Sequence, residues 1–329
     1  MLTSDRVIEK AKQLGFVLVG VSGDLDPGAS DFYSWWLAQG YAAEMHYLHF
    51  QKHRRRSFTE ILPGAKSIIV CALPFAGPGT PPNVDNNPVE LDPPKFGKIA
   101  RYAQGRDYHE VLKEKLDELA AFIDSEAAIP ETSKSLAYVD TGALPERAYA
   151  AQAGLGWIGK NAMLINPDFG SWFWLGEVIT TVALPPSLPH PDRCGSCRRC
   201  IDACPTGAIL EGVRAVDSRL CLSYLTIEHR GAIPEKVRGK MNDWIVGCDI
   251  CQEACPWTQR SSRAGRASLG EPPVELLDLN QVSALEKEEF KRRFGERAIS
   301  RTKLAGLKRN ANFLLEEPLA GIEAPKSRS

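Results

Sequence analysis

The sequence has no excess of charge of either sign and no long hydrophobic run. It holds 40 Lys and Arg against 41 Asp and Glu, so its overall charge does not mark a protein that binds polyanions. The longest apolar stretch, residues 169–184, contains Glu177 and runs into Pro185, which excludes a transmembrane helix. The first residues lack a secretory signal and lead directly into an amphipathic helix. We therefore expect a cytoplasmic protein that does not contact membranes.

Several catalytic patterns are absent or incomplete. The six histidines show no metal-binding spacing such as H-E-x-x-H. Asp140-Thr141-Gly142 is a single D-T-G triplet, whereas an aspartic protease needs two such aspartates. Gly154-Leu-Gly156-Trp-Ile-Gly159 matches G-x-G-x-x-G, but the segment before it has a helical pattern instead of the strand that a dinucleotide fingerprint follows. None of these patterns indicates the corresponding enzyme class.

Local periodicity predicts alternating helices and strands. We expect helices over residues 4–14, 30–39, 107–125 and 283–294, and strands over 16–21, 67–73, 136–139 and within 171–184. The last helix is expected to open with a capping box from Ser283 to Glu286. Residues 74–94 carry seven prolines and are expected to form a long loop.

Length and proline distribution predict more than one domain. A chain of 329 residues exceeds the usual size of one hydrophobic core. The prolines of residues 185–191 indicate a linker. We predict three regions: 1–185, 186–260 and 261–329.

Nine cysteines are the most informative feature of the sequence, because seven fall in two compact groups. The first group is Cys194-x2-Cys197-x2-Cys200-x3-Cys204-Pro205, and the second is Cys248-x2-Cys251-x3-Cys255-Pro256. The first spacing is typical of bacterial ferredoxins, whose fourth cysteine ligates the other cluster. Applied here, that rule predicts two [4Fe-4S] sites, one from Cys194, Cys197, Cys200 and Cys255, and one from Cys204, Cys221, Cys248 and Cys251. The alternative is two four-cysteine zinc sites. Cys71 lies in an apolar strand and is expected to be a buried, inert thiol.

Two polar features remain open from the residues alone. Asp140 follows a strand and precedes a helix, so its side chain either points into a pocket or caps the next turn. Residues 291–309 hold eight Lys or Arg and one acid, Glu296, which suits phosphate contacts or a solvated helix face. The run of Arg54, Arg55 and Arg56 is interpreted as a solvated face.

Several motifs together resemble the epoxyqueuosine reductase family. They agree in order and spacing across roughly residues 1–260: Leu62-Pro-Gly-Ala-Lys66, Gly105-Arg-Asp-Tyr-His109, Tyr138-Val-Asp140-Thr-Gly, Glu146-Arg147, Ala153-Gly-Leu-Gly-Trp-Ile-Gly-Lys160-Asn161 and Gly170-Ser-Trp-Phe, followed by the two cysteine groups. The resemblance implies an α+β multidomain fold: a nitroreductase-like α/β domain that binds cobalamin, a ferredoxin-like two-cluster domain, and a short HEAT-like helical tail. It also implies an oxidoreductase that converts epoxyqueuosine to queuosine at the wobble position of tRNA.

The resemblance also implies roles for particular residues. Asp140 would be the proton donor, for which burial should raise its pKa from about 3.9 toward neutrality. The cobalamin site would be lined by Arg55, Asp140, Leu164, Leu175, Leu220, Ser223, Ile227, Cys248 and Asp249. The tRNA would meet Arg292, Arg293, Arg301 and Lys308 of the basic tail. The second cluster would lie nearer cobalamin, and the first would take electrons from an external low-potential donor, flavodoxin or ferredoxin. We expect a monomer.

One departure and two competing functions accompany this resemblance. The family usually continues into a longer helical tail, whereas here Gly306-Leu-Lys-Arg-Asn310 is followed only by residues to 329, so we expect a reduced tRNA grip or a different surface. A reductive dehalogenase-like enzyme acting on a small molecule is the first alternative, and the basic tail speaks against it. A non-catalytic iron–sulfur electron carrier is the second, and the roughly 190 residues before the clusters speak against that.

Overall fold

The computed structural model describes residues 2–75, 95–261, 274 and 276–316. Most of the predicted proline-rich loop and the last residues of the tail lie outside these ranges. Among the described residues, no helix has both the length and the apolar character that a membrane span requires.

The described chain forms a mixed α and β fold, as the sequence predicts. Its helices are α1 Ser4–Gln13, α2 Pro27–Ala38, α3 His46–Phe50, α4 Tyr108–Ser125, α5 Glu146–Gln152, α6 Arg199–Ala203, α7 Leu222–Ile227, α8 Ile250–Glu253, α9 Pro256–Arg260, α10 Leu279–Ala284, α11 Lys287–Phe294 and α12 Lys303–Leu315. Its strands are β1 Leu18–Ser22, β2 Ser67–Pro74, β3 Phe96–Ile99, β4 Ser135–Tyr138, β5 Trp157–Ile158, β6 Leu164–Ile165, β7 Phe173–Thr180, β8 Trp244–Val246 and β9 Leu276–Asp278.

The main sheet has four antiparallel strands in the order β1-β2-β7-β4. Every residue of β2 is buried, because this continuous apolar strand is covered on both faces. One face packs on α1 and α4, and the other packs on α5. A Cβ at Gly20 would overlap the backbone carbonyl of Ala153, so α5 sits directly on β1. This arrangement places the loop after β4 next to the first turns of α4 and α5.

A second sheet joins distant parts of the sequence. Its order is β8-β3-β9, with β3 parallel to β8 and antiparallel to β9. One hydrophobic core beneath it includes Ile99, Ile245, Leu277 and Leu307, which come from all three predicted regions. The boundaries at residues 185 and 260 remain a prediction, but the packing runs across both of them.

Most predicted elements agree with the structure within a few residues, and the two clearest differences have local causes. The helix predicted from residue 30 begins at Pro27, because the Asp26 carboxylate accepts the Gly28 amide and caps it. The capping box predicted at Ser283 is wrong. Ser283 lies inside α10 and donates to Asn312 Oδ1, and the chain turns extended at Leu285 before α11 begins at Lys287.

Candidate active site and cysteine clusters

Asp140 occupies a strained turn directly after β4. Its backbone has φ of +49°, in the left-handed region that non-glycine residues seldom adopt. Its amide donates to Glu146 Oε1 at 2.6 Å, so the first residue of α5 holds the turn. Non-glycine residues at such angles persist where surrounding contacts determine them, and they are frequent at functional sites.

The Asp140 carboxylate faces α4 and forms part of a hydrogen-bonded series. Its Oδ2 accepts from the Tyr108 hydroxyl at 2.9 Å and lies 3.2 Å from His109 Nε2. The other ring nitrogen of His109, Nδ1, lies 2.6 Å from Asp107 Oδ1. Asp107 is the N-cap of α4 and also accepts the His109 amide. Asp140 therefore contacts a histidine held between two carboxylates, an arrangement that fits proton transfer better than a simple turn cap does.

The expected rise in the Asp140 pKa is wrong. Burial does act to raise the pKa of Asp140, but the hydrogen bond and charge of His109, aided by Tyr108, outweigh it and leave that pKa below its ordinary value. Burial lowers the pKa of His109, whereas Asp107 and Asp140 raise it, to about 9. At neutral pH the proton of this group therefore resides mainly on His109.

Asp140 is surrounded by protein but open to solvent on one side, and we call this opening the cleft. Its side chain is 54% exposed, yet burial is the largest influence on its pKa, as expected for a group surrounded by protein but open on one side. Tyr102 marks the neighbouring wall. Burial and the nearby charges of Asp140 and Asp249 raise its pKa. Arg301 enters from the tail region, and its charge helps to lower the Asp140 pKa. The groups whose charges act on Asp140 and Tyr102 thus come from all three predicted regions of the chain.

The predicted cobalamin residues lie on several elements of the fold. Leu164 in β6 and Leu175 in β7 belong to the core beneath α5. On α7, Ile227 is buried and Ser223 is partly exposed, with Leu220 just before the helix.

Two charged members of the predicted cobalamin set are held by the backbone. Arg55 donates to the carbonyl oxygens of Leu144 and Gly142, while its buried Nε has no partner among the described residues. Asp249 is buried and accepts the Arg101 amide at 2.8 Å. An apolar wall with one unpaired guanidinium nitrogen suits a large apolar ring with amide groups at its rim.

The cysteines fall into two spatial sets. Burial and the charges of Cys255, Cys194 and Cys197 raise the pKa of Cys200, so these four lie together. Cys194 and Cys255 also pack in one cluster with Trp157. Cys197 is exposed, which places this set at the surface. These are the cysteines predicted for the first site.

The second set consists of Cys204, Cys221, Cys248 and Cys251. Burial raises the pKa of Cys248 to about 12, with contributions from Cys221 and Cys204, and burial, Cys221 and Cys248 raise that of Cys251. Among the described residues, no three Cys, His, Asp or Glu side chains are grouped as a single metal ion would require. A four-iron cluster is ligated at four separate corners and accommodates more widely spaced thiols. Cys71 is fully buried in β2, as predicted, apart from both sets.

The G-x-G-x-x-G segment connects the sheet domain with the cysteine loops. It leads into the β5–β6 hairpin and not into a helix, which rules out the dinucleotide fingerprint. Just after it, Lys160 Nζ donates to the carbonyls of Gly195 and Cys197 at 2.8 and 2.9 Å. Asn161 donates to the carbonyl of Cys251. These two side chains fix loops of both cysteine sets.

The four predicted tRNA-binding residues have different surroundings. Arg292 is 74% exposed and pairs with Glu289, three residues before it. Arg293 lies over the Phe294 ring. Arg301 pairs with Glu228 at 2.9 Å beside the cleft, and Lys308 donates to the Leu285 carbonyl.

The sequence did not indicate two features of this site. It assigned no role to Tyr108 and His109, although both lie within one of the motifs that carry the family resemblance. It also interpreted Arg54, Arg55 and Arg56 as a solvated face. Arg54 and Arg56 are exposed as expected, but Arg55 donates to backbone carbonyls beside the Asp140 turn. Residues 46–56 also hold four Lys or Arg and no acid, together with the exposed rings of Tyr47 and Phe50. The signal that could have found this surface is its aromatic and basic interleaving.

Comparison with known proteins gives consistent results. Residues 55–141 match a family model described as epoxyqueuosine reductase QueG, DUF1730, and residues 193–258 match a 4Fe-4S double cluster binding domain. An epoxyqueuosine reductase of Gloeobacter violaceus is 43% identical, covering 95% of this chain and 96% of its own.

Solved structures agree. An epoxyqueuosine reductase crystallised with an epoxyqueuosine-modified tRNA-Tyr stem loop superposes with a TM-score of 0.83 and 32% identity, over 94% of this chain and 80% of its own. The Bacillus subtilis enzyme, described with its catalytic aspartate loop swung out of the active site, gives a TM-score of 0.81 and 31% identity over the same shares.

Proposed function

The chain belongs to the epoxyqueuosine reductase family, an oxidoreductase family, and on that premise we propose that it reduces epoxyqueuosine to queuosine in the anticodon loop of tRNA. The observation that carries the proposal is the position of Arg147. The surrounding protein lowers the pKa of Arg147, and the charges of Glu146, Asp140 and Cys221 raise it, so this one side chain lies near both the Asp140 turn and a cysteine of the second set. The group proposed to supply protons and the cluster proposed to supply electrons therefore lie on either side of Arg147.

The reaction needs two electrons and two protons, because the epoxide oxygen leaves as water and a carbon–carbon double bond remains. An unprotonated alkoxide is a poor leaving group, so an acid must lie next to that oxygen. We assign this role to Asp140, which is open to the cleft, with His109 holding the proton that passes to it. Asp107 orients the imidazole and stabilises its charged form, as carboxylates do for catalytic histidines.

The eight clustered cysteines would hold two [4Fe-4S] clusters in the sets described above. The exposed Cys197 makes the first set the entry point for electrons from flavodoxin or ferredoxin. The second set lies beside the cleft, since Cys221 acts on Arg147 and Cys248 adjoins Asp249. Lys160 and Asn161, which bind the loops of both cysteine sets, would keep the distance between the two clusters fixed.

Cobalamin is the cofactor that the family resemblance implies for this cleft. When bound, it supplies low-potential electron chemistry at the substrate carbon. The chain would hold it between Leu164, Leu175 and Ile227, with the free Nε of Arg55 available to a polar group on its rim. Asp140 would then lie on the substrate side of the cleft.

Segment 46–56 would bind the RNA in addition to the basic tail. Segment 46–56 carries four positive charges without an acid, and the Phe50 ring is 79% exposed. The same segment borders the active site, because Arg55 binds the Asp140 turn and the charge of Asp140 acts on Tyr47. Basic residues that contact phosphates and exposed rings that stack on bases are the usual means of binding a single-stranded loop. We assign the anticodon loop to this surface and to Arg301, and propose that the enzyme acts on tRNA in the cytoplasm as a monomer.

The deciding experiment is anaerobic single turnover of an epoxyqueuosine-containing tRNA stem loop with reconstituted, pre-reduced protein. Queuosine should form only when clusters and cobalamin are both present. Cobalamin absorption bands beside the broad cluster absorption separate an enzyme from an iron–sulfur electron carrier. Binding of cobalamin without any conversion of the stem loop would favour the dehalogenase-like alternative.

A further inference from the structure

Glu177 has a buried carboxyl group without the hydrogen-bond donors that would stabilise a negative charge. It lies in the middle of β7, opposite Tyr138 of β4, and is completely inaccessible to solvent. Neither of its carboxylate oxygens has a hydrogen-bond donor among the described residues, and the side chain within hydrogen-bonding reach of it is another acid, Glu146. An isolated ionised carboxylate is too costly to bury in this way, so such a group normally keeps its proton.

The nearest titratable group is Glu146, the residue that holds the Asp140 turn. Side chains alternate along β7, so Glu177 shares with Leu175 and Ile179 the face that α5 covers. The titratable groups near it are Glu146 and Tyr149 on α5, Tyr138 opposite it on β4 and Asp140 after β4, with Cys71 on β2 on the other side of the sheet. The charges that act on Glu177 itself come from two acids, Glu146 and Asp140.

A fully buried carboxyl and a partly buried one beside it cannot both ionise at neutral pH without strong repulsion. Burial and then the charge of Glu146 place the pKa of Glu177 well above its ordinary value. Burial and then the charge of Asp140 raise the pKa of Glu146 to about 7. These directions agree with the geometry, in which Glu146 accepts a hydrogen bond from the Asp140 amide, while Glu177 faces no donor and only the carboxyl group of Glu146.

We propose that Glu177 carries a proton that neutralises the Glu146–Glu177 pair, and that this neutral pair holds the amide of Asp140 and keeps its carboxylate in the cleft. Glu146 and Glu177 are positioning residues. If both were ionised, their repulsion would withdraw Glu146 from the amide and free the left-handed turn. The inference relies on the proposed function only for the role of Asp140.

The first test needs no substrate. The infrared difference spectrum of the reconstituted protein at pH 7, wild type minus Glu177→Gln, should contain the band of a protonated carboxylic acid. Asp249, whose pKa burial raises to about 7, absorbs in both proteins and cancels in the difference. Hydrogen exchange of the Asp140 amide should be slow in the wild type and in Glu146→Gln, whose amide oxygen still accepts the bond, and fast in Glu146→Ala. As pH rises, exchange should accelerate more in the wild type than in Glu177→Gln, because Gln cannot ionise.

Turnover supplies the second test. Glu177→Gln and Glu146→Gln should react at close to the wild-type rate at pH 7, whereas Glu146→Ala should lose about 10²-fold, as a misplaced catalytic group does. The proposal is overturned if the acid band is absent or insensitive to Glu177→Gln, or if Glu146→Ala leaves amide exchange unchanged. A wild-type protein that shows the band and the protected amide but makes no queuosine would instead refute the proposed function.

Discussion

Replacing His109 with Gln tests where the catalytic proton is held. Gln can still hydrogen-bond to Asp107 or Asp140 but cannot carry a positive charge. The neighbouring carboxylates raise the pKa of His109 from 6.5 to about 9. A rise of that size corresponds to about 3 kcal/mol in favour of the charged imidazole, at 1.36 kcal/mol per unit. This is an upper limit, because the side chain is 28% exposed to water in the cleft.

The effect on turnover has a defined pH dependence. The proton-carrying form of His109 is present below its pKa and lost as pH rises through about 9. Wild-type single turnover should therefore fall above that pH. In His109→Gln the rate at pH 7.5 should be roughly 10²-fold lower, at the lower end for a lost general acid. Asp140→Asn, which keeps the shape but not the acidic proton, should lose about 10²–10⁴-fold while still binding both clusters, cobalamin and tRNA.

The same substitution predicts a change in stability. A histidine whose folded-state pKa is raised contributes stability that is complete below pH 6.5 and is lost as pH rises through about 9. The melting temperature of the reconstituted wild type should thus exceed that of His109→Gln at pH 6 and approach it at pH 10. The matched control is His53→Gln, at an exposed histidine of the basic surface, which should change neither stability nor its pH dependence.

Two results would refute this reasoning. A His109→Gln protein with the wild-type alkaline limb would show that another group holds the proton. Near wild-type turnover by Asp140→Asn, measured with pre-reduced protein to bypass electron delivery, would remove Asp140 from the mechanism.

Three further predictions concern the clusters, the RNA surface and the tail. Cys71→Ser should leave about eight irons per chain, whereas Cys204→Ser should damage the second cluster although it belongs to the first sequence group. Arg54→Ala with Arg56→Ala should weaken stem-loop binding and reduce its salt dependence by about 0.7–0.9 per lost phosphate contact, without affecting cobalamin binding. Asn310→Ala should lower the free energy of unfolding by at least about 2 kcal/mol, because the buried Asn310 amide donates to two main-chain carbonyls at 2.8 Å that would lose their partner.

Each of these has an outcome that contradicts it. Loss of four irons from Cys71→Ser would overturn the ligand sets. An unchanged salt dependence of stem-loop binding would mean that segment 46–56 is only a solvated face. In the same assay, Arg292→Ala with Arg293→Ala measures how much the tail contributes to binding. Asn312→Ala is the control for Asn310, since Asn312 lies on the exposed side of α12. If both variants lower the free energy of unfolding equally, the hydrogen bonds from Asn310 to the buried carbonyls do not account for the effect.

The sequence by itself determined the parts of this protein that depend on neighbours along the chain. The cysteine spacings, the buried strand β2 and the apolar stripe of α4 are local patterns, because the groups that create them are a few residues apart. The position of Asp140 between a strand and a helix could be predicted for the same reason.

Only the tertiary structure decided the protonation states of the acidic groups in the site. The Asp140 pKa was expected to rise by burial, but α4 brings His109 to it across 31 positions and reverses the direction. Glu177 is buried away from any hydrogen-bond donor because α5 covers its face of β7. The alternation of residues along β7 does not predict which face is covered. The capping box at Ser283 failed because a hydrogen bond to Asn312, 29 residues away, competed with the local signal. Long-range packing sets each of these outcomes, since the free energy of a buried charge depends on everything around it.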